Sequence, residues 1–365
     1  MAGRWLAAAA AIALLGGATL TGCGGTEHAD ETSATRATAV HAAQHFLAGY
    51  VSPAGRVIRR DQGGDTVSEG QGYALLLAYA ADDRSLFAQI WRWTQVNLQQ
   101  PDSLFAYRWQ DGHIVDAEPA ADADTQIAWA LDLAGNGWSV PADTSAAKRI
   151  AIAIADAEIG YDDQGRPTLA AGPWAVAAGS PTQVEPGYWT FPAYAALANL
   201  TGDHRWQDLT AADSSHLETL ADGGVQLAPD WARLGHGANP AAEPAPQNDS
   251  APVAGEDGLR ALVWTSCQPA TQTLDSRWWH LIGSTAQSGP LTRDLDGQPA
   301  DREQAPLSLV AAAAAAIAAG DRLSARSLLA DAGKVAAEYP TYYGDAWNGL
   351  GHILLTTNLI SGCTP

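Results

Sequence analysis

Six stretches of this chain are apolar on nearly every side when wound as helices, and helical stretches carrying one charged face stand between them. A helix that is apolar all round must be enclosed by protein, whereas one with a charged face can lie against solvent. The enclosed candidates begin near residues 69, 122, 186, 257, 306 and 344. With their partners they give twelve predicted helices: 39–48, 69–81, 85–98, 124–133, 144–157, 186–200, 204–220, 257–266, 275–282, 306–319, 322–337 and 344–359. The inner starts are irregularly spaced, which excludes a short-period solenoid. Six helical hairpins closed into a barrel satisfy both kinds of helix.

Such a barrel belongs to the all-α class. Hydrophobic residues make up 47% and charged residues 16%, alanine is abundant, and long β-branched runs are absent, so composition points the same way. One domain is expected over residues 38–365, acting as a monomer. The formal charge is −20, and Lys148 and Lys334 are the only lysines. A nucleic-acid partner that needs a basic face is therefore excluded. A cationic polymer such as chitosan stays compatible with that charge.

Residues 1–22 read as a lipoprotein signal peptide. Arg4 precedes an apolar run from Trp5 to Leu20, and Leu20-Thr-Gly-Cys23 has the form of a lipobox whose cysteine becomes the lipidated N-terminus. The run is shorter than the ~20 residues that usually span a bilayer. The expected location is extracytoplasmic, anchored to the membrane through Cys23. Residues 24–37 are small and polar and are expected to form a flexible tether. In an oxidising compartment Cys267 and Cys363 can form a disulfide tying the C-terminus to the body.

If the inner helices run parallel, their N-termini share one end of the barrel, and the polar residues there converge. Glu69, Asp122, Asp124 and Asp257 sit at three of those starts. Ser68 is placed to cap the helix of Glu69, with Gln71 completing a capping box, and Gly70 and Gly72 leave room for close approach to the backbone. An acid in a first turn has an ordinary role in complementing the helix dipole. Paired carboxyls at one cleft have another, because glycosidic hydrolysis needs one protonated to donate to the leaving oxygen and one ionised to activate water or attack. The dipole favours the ionised form, so Glu69 can serve as an acid only where burial or a neighbouring carboxylate outweighs it.

The run Thr66-Val-Ser-Glu-Gly-Gln-Gly-Tyr-Ala-Leu75 resembles the proton-donor block of glycoside hydrolase family 8, the inverting endoglucanases and their relatives. Ala120-Ala-Asp-Ala-Asp-Thr-Gln-Ile-Ala-Trp129, continuing to Trp138, is similar to that family's signature, with Ala121 where Ser or Thr is usual and Asp132 where an apolar residue is usual. Gly255-Glu-Asp-Gly-Leu-Arg260 resembles the block Tyr-Asp-Ala-x-Arg that holds the family's base, with Glu256 replacing the tyrosine. Pro186-Gly-Tyr188, Pro229-Asp-Trp231 and Tyr342-Tyr343 are further landmarks, and the resemblance spans roughly residues 39–362.

That resemblance implies an (α/α)6 barrel and an endo-β-1,4-glucanase that cuts cellulose or a related β-glucan in an open cleft without a cofactor. It is particularly close to the endoglucanases that accompany bacterial cellulose synthesis. Glu69 then becomes the general acid, Asp257 the base, and Asp122 the residue holding the sugar at the cleavage point. Arg260 orients or pairs with Asp257. Asp124 has two available roles, sugar contact and helix cap. The carboxyls of Glu69 and Asp257 are expected to stand roughly 6.5–9.5 Å apart, as inversion requires.

Among fourteen tryptophans, Trp109 and Trp189, with Tyr188, are the candidates for stacking on sugar, while Trp91, Trp93, Trp129 and Trp206 are expected in the core. His41 and His45 lack the glutamate of a zinc-protease motif, and no metal is expected. Leu234–Val253, rich in Ala, Pro, Asn and Gly, is a surface insertion that either walls the cleft or is disordered. Within the same family a chitosanase or xylanase is the alternative, and outside enzymes a glucan-binding lipoprotein without turnover.

Overall fold

In a computed structural model, the described residues are 24–176, 182–235, 240–246 and 250–360, with side chains from residue 33 onward. They form twelve α-helices. These are α1 (Gly24–Tyr50), α2 (Ser68–Ala80), α3 (Arg84–Asn97), α4 (Ala121–Gly137), α5 (Pro141–Ala157) and α6 (Phe191–Thr201), followed by α7 (His204–Leu220), α8 (Glu256–Ser266), α9 (Gln272–Ile282), α10 (Pro306–Ala318), α11 (Arg322–Glu338) and α12 (Tyr342–Thr356).

The even-numbered helices pack in a closed ring, α2 on α4, α4 on α6, α6 on α8, α8 on α10, α10 on α12 and α12 back on α2. The odd-numbered ones lie outside. The two sets differ as their sequences require. Residues 311–316 of α10, all alanine, are fully buried, because methyl side chains let α8, α9, α11 and α12 approach it from several sides. Outer α3 buries only Phe87, Ile90 and Thr94 and leaves Arg84 and Arg92 to solvent. The result is an (α/α)6 barrel.

Several expectations change in detail. Residues 24–37, expected as an irregular tether, lie within α1; Ala29, Glu31, Ala34 and Ala37 are good helix formers, and nothing there breaks the helix. Among the described residues, ten short strands decorate the helical frame. β1 (Thr66–Val67), β2 (Arg108–Gln110) and β3 (His113–Asp116) form one antiparallel sheet, and β6 (Thr182–Val184), β7 (Trp231–Leu234) and β8 (Ala241–Glu243) another. β4 (Ile159–Tyr161) pairs with β5 (Pro167–Leu169), and β9 (Val253–Ala254) with β10 (Arg293–Asp294). Part of the expected insertion is thus sheet edge, held by the β6–β7–β8 ladder and an ion pair between Arg233 and Glu243.

Ser68 does not cap α2. It is the first residue of the helix, and its N–H donates to the carbonyl of Tyr107 instead. β1 runs straight into α2, so no capping loop is needed. Gln71 reaches outward rather than back: its Oε1 accepts from Val57 N–H at 2.6 Å, and its Nε2 donates to Thr94 Oγ1 at 2.6 Å. Cys267 is disulfide-bonded. Cys23 and Cys363 lie outside the described residues.

Candidate active site

The N-termini of the inner helices meet at one end of the ring, and the side chain gathering their acids is Arg260, on the first turns of α8. It is fully buried. Nη1 donates to Asp122 Oδ2 at 2.8 Å, to Glu69 Oε2 at 3.2 Å and to the hydroxyl of Tyr73 at 3.1 Å. Nη2 donates to Asp257 Oδ1 at 2.6 Å and lies 3.9 Å from Glu185 Oε2. The guanidinium also sits 5.0 Å from the centre of the Tyr188 ring. α2, α4 and α8 each supply one acid, and one planar cation spans them.

Three of these carboxyls, those of Glu69, Asp122 and Glu185, are largely out of water, and one cation cannot keep all of them ionised. Burial pushes Glu69 up to about 7, against the pull of Arg260 and with the help of the charges on Asp122 and Asp257. Glu185 is driven well above the ordinary carboxylate range, by burial and then by Asp257. Asp122 is also raised by burial, with Arg260 and the backbone N–H of Ala123 opposing. The acidic dipole objection to Glu69 is therefore overcome by its surroundings.

Exposure separates the roles these acids can play. The Asp257 side chain is 37% exposed, against 17% for Glu69 and 1% for Asp122. Water can reach Asp257 most easily. Glu69 is oriented from both sides, since its Oε1 accepts from the hydroxyl of Tyr342 at 3.0 Å. That contact depends on Gly70, because a Cβ there would come within 2.6 Å of the same hydroxyl. Gly187 has a similar task, as a Cβ would run into the carbonyl of Asp257. The glycines at these approaches are needed for closeness.

Asp124 takes neither role considered for it. It is fully buried inside α4, where Oδ1 accepts from Phe105 N–H at 3.0 Å and the carboxyl is hydrogen-bonded to Glu158, itself fully buried. One turn of helix carries it past the cap position and turns it away from the cleft. Trp189 is likewise buried, donating from Nε1 to Leu169 at 3.0 Å and packing on His216. The 3-10 turn Pro186–Tyr188 directs its indole inward and leaves Tyr188 at the site.

Trp109 is half-buried on β2, with the Arg56 guanidinium 4.3 Å from its ring centre and Trp93 edge-on at 5.4 Å. One face at most remains for a sugar. Trp129 and Trp206 are in the core, and Trp91 and Trp93 pack against it, as expected.

Glu185, Tyr73 and Asp230 were not legible as site residues. Glu185 is separated from Arg260 by 75 positions and Tyr73 by 187, and neither carries a local signal beyond its neighbouring motif. Asp230 is a landmark in Pro229-Asp-Trp231 without a stated task. Beside the acids, a cavity of about 530 Å³ opens between the starts of α8, α10 and α12, lined among others by Glu256, Tyr343, Asp61 and Arg302. Glu256 stands exposed at its rim, next to Asp257.

The family model described as glycosyl hydrolases family 8 matches residues 28–346. The chain belongs to family 8. Among its relatives, a probable endoglucanase of Novacetimonas hansenii is 33% identical over 51% of this chain and 55% of its own length. An endoglucanase of Cellulomonas uda is 30% identical over 54% and 56%. The chain thus matches about half the length of these curated relatives. For the fold, the endo-β-1,4-glucanase CMCax of Acetobacter xylinum superposes with a TM-score of 0.72 at 24% identity, covering 87% of this chain and 98% of that one. A β-1,3-1,4-glucanase of Paenibacillus sp. X4 reaches 0.79 at 19% identity, covering 89% and 92%. These likenesses establish the family 8 barrel.

Proposed function

We propose that this chain is an inverting endo-β-1,4-glucanase that hydrolyses internal bonds of cellulose or a related β-glucan. The observation carrying the proposal is the pairing of two differently situated carboxyls on one guanidinium, Glu69 raised to about 7 and Asp257 open to water. In the reaction, water attacks the anomeric carbon and the bond to the leaving oxygen breaks. Glu69 gives its proton to that oxygen, and Asp257 takes one from the attacking water. Asp122 holds the sugar at the cleavage point, and Arg260 keeps Asp257 oriented. The names of the relatives support the substrate class.

We further propose that the protein is a lipoprotein held at the extracytoplasmic membrane face through Cys23, acting as a monomer and without a cofactor; the lipobox supports the anchor. Labelling with a radioactive fatty acid, with Cys23→Ala beside the wild type, tests it: label retained by the variant would refute the anchor.

The activity is tested by reducing-sugar release from carboxymethylcellulose, lichenan, xylan and chitosan, with Glu69→Gln and Asp257→Asn in parallel. Cleavage of a β-glucan by the wild type, with both variants reduced by orders of magnitude, is the expected outcome. Activity retained by Asp257→Asn would remove it as the base. Tight oligosaccharide binding with no release from any substrate would replace the enzyme by a glucan-binding protein.

A further inference from the structure

The helix that carries Asp257 has no side-chain cap of its own. Its N-cap position is Gly255, and the first-turn N–H groups therefore need an acceptor from elsewhere. Asp230 provides it. Oδ1 of Asp230 accepts from the N–H of Gly255 and from that of Gly258, each at 2.7 Å. Asp257 lies between those two residues, so both ends of its local backbone are tied to one oxygen atom.

The surroundings are shaped for this carboxylate. A Cβ at position 255 would come within 2.7 Å of Asp230 Oδ2, and one at 258 within 3.0 Å of Oδ1 and 2.5 Å of the Ala228 carbonyl. Gly258 stands where the family block has alanine, and the close approach of residues 228–230 is the reason it fits. Asp230 is held in turn: its own N–H donates to Val253 at 2.8 Å, and the next residue begins β7, which pairs with β6 just before Glu185. From the opposite side, Gly187 packs on the Asp257 carbonyl.

We propose that Asp230 is a positioning residue for glycosidic hydrolysis: it caps α8 from outside the helix and thereby fixes where the carboxylate of Asp257 stands relative to Glu69. The inference rests on Asp257 being the base. Asp230 itself touches no reacting atom. Displacing a reacting group by about an ångström can cost on the order of 10²-fold in rate, which sets the size of the expected effect.

The test compares wild type, Asp230→Ala and Asp230→Asn, whose amide oxygen can still accept both hydrogen bonds. Hydrogen exchange at the amides of residues 255–258 is expected to quicken in Asp230→Ala and to stay slow in Asp230→Asn. On β-glucan, Asp230→Ala is expected to lose about 10²-fold in kcat with KM changed only a few-fold, while Asp230→Asn stays close to wild type. Azide attacks the anomeric carbon without giving up a proton, so it should restore turnover of Asp230→Ala as the inverted glycosyl azide.

Unchanged exchange in Asp230→Ala overturns the cap. Full kcat in Asp230→Ala, or a loss shared equally by KM and kcat with no response to azide, overturns the positioning role. A wild type inactive on every glucan defeats the functional reading instead, and the exchange comparison still decides the cap.

Discussion

Glu69 and Asp257 touch the same guanidinium, yet burial raises Glu69 to about 7 while Asp257 stands open to water, an asymmetry that the proposed acid–base chemistry on a neutral sugar would use. Below pH 7 Glu69 holds its proton; above, it loses the proton that the proposed general acid has to donate. The value of kcat/KM should therefore fall about tenfold per pH unit on the alkaline side of a limb near 7. The charge of Asp122 helps raise Glu69, so Asp122→Asn should move that limb to lower pH, whatever it does to the rate itself. A pH–rate profile from about 5 to 9 checks both, and a limb that stays in place would deny the coupling. The three acids were legible because each lies in a contiguous block that resembles a known one. Glu185 and Asp230 were not, since their partners lie far along the chain and no local pattern links them.

At the scale of elements, the buried pair formed by Asp124 on α4 and Glu158 at the end of α5 ties two helices of one hairpin together. Beyond each other, Asp124 Oδ2 and both oxygens of Glu158 have no partner, and burial raises both carboxyls well above their usual range. A proton held between the two carboxyls links them. Stability from this pair is complete below the ordinary carboxyl range and is lost as pH rises toward the raised values. Glu158→Gln can donate the same hydrogen bond without a titrating proton. It should gain on the order of 1–3 kcal/mol at alkaline pH and little near pH 4, read from Tm against pH in both proteins. Equal Tm changes at both ends would remove the shared proton from the account. Helix existence was readable here because enclosed and solvent-facing helices differ in their apolar pattern. The strands were not, being two to four residues long and so too short for an alternating pattern to show.

The whole molecule carries a formal charge of −20, while the proposed substrate is neutral. Screening should leave kcat/KM on a neutral β-glucan nearly constant between about 0.05 and 0.5 M salt, whereas any action on chitosan should weaken over the same range. A strong salt response on the neutral polymer would point to a charged substrate instead. Sequence by itself determined the helix count and the alternation of inner and outer helices, and it brought Glu69, Asp122 and Asp257 forward as candidates, because periodicity and contiguous motifs are local properties. Only the tertiary structure decided which side chains face the cleft and which the core. It turned Asp124 and Trp189 inward, joined Asp230 to α8, and set four carboxyls around Arg260. Those outcomes depend on distances between residues far apart in the chain, which exist only once the ring has closed.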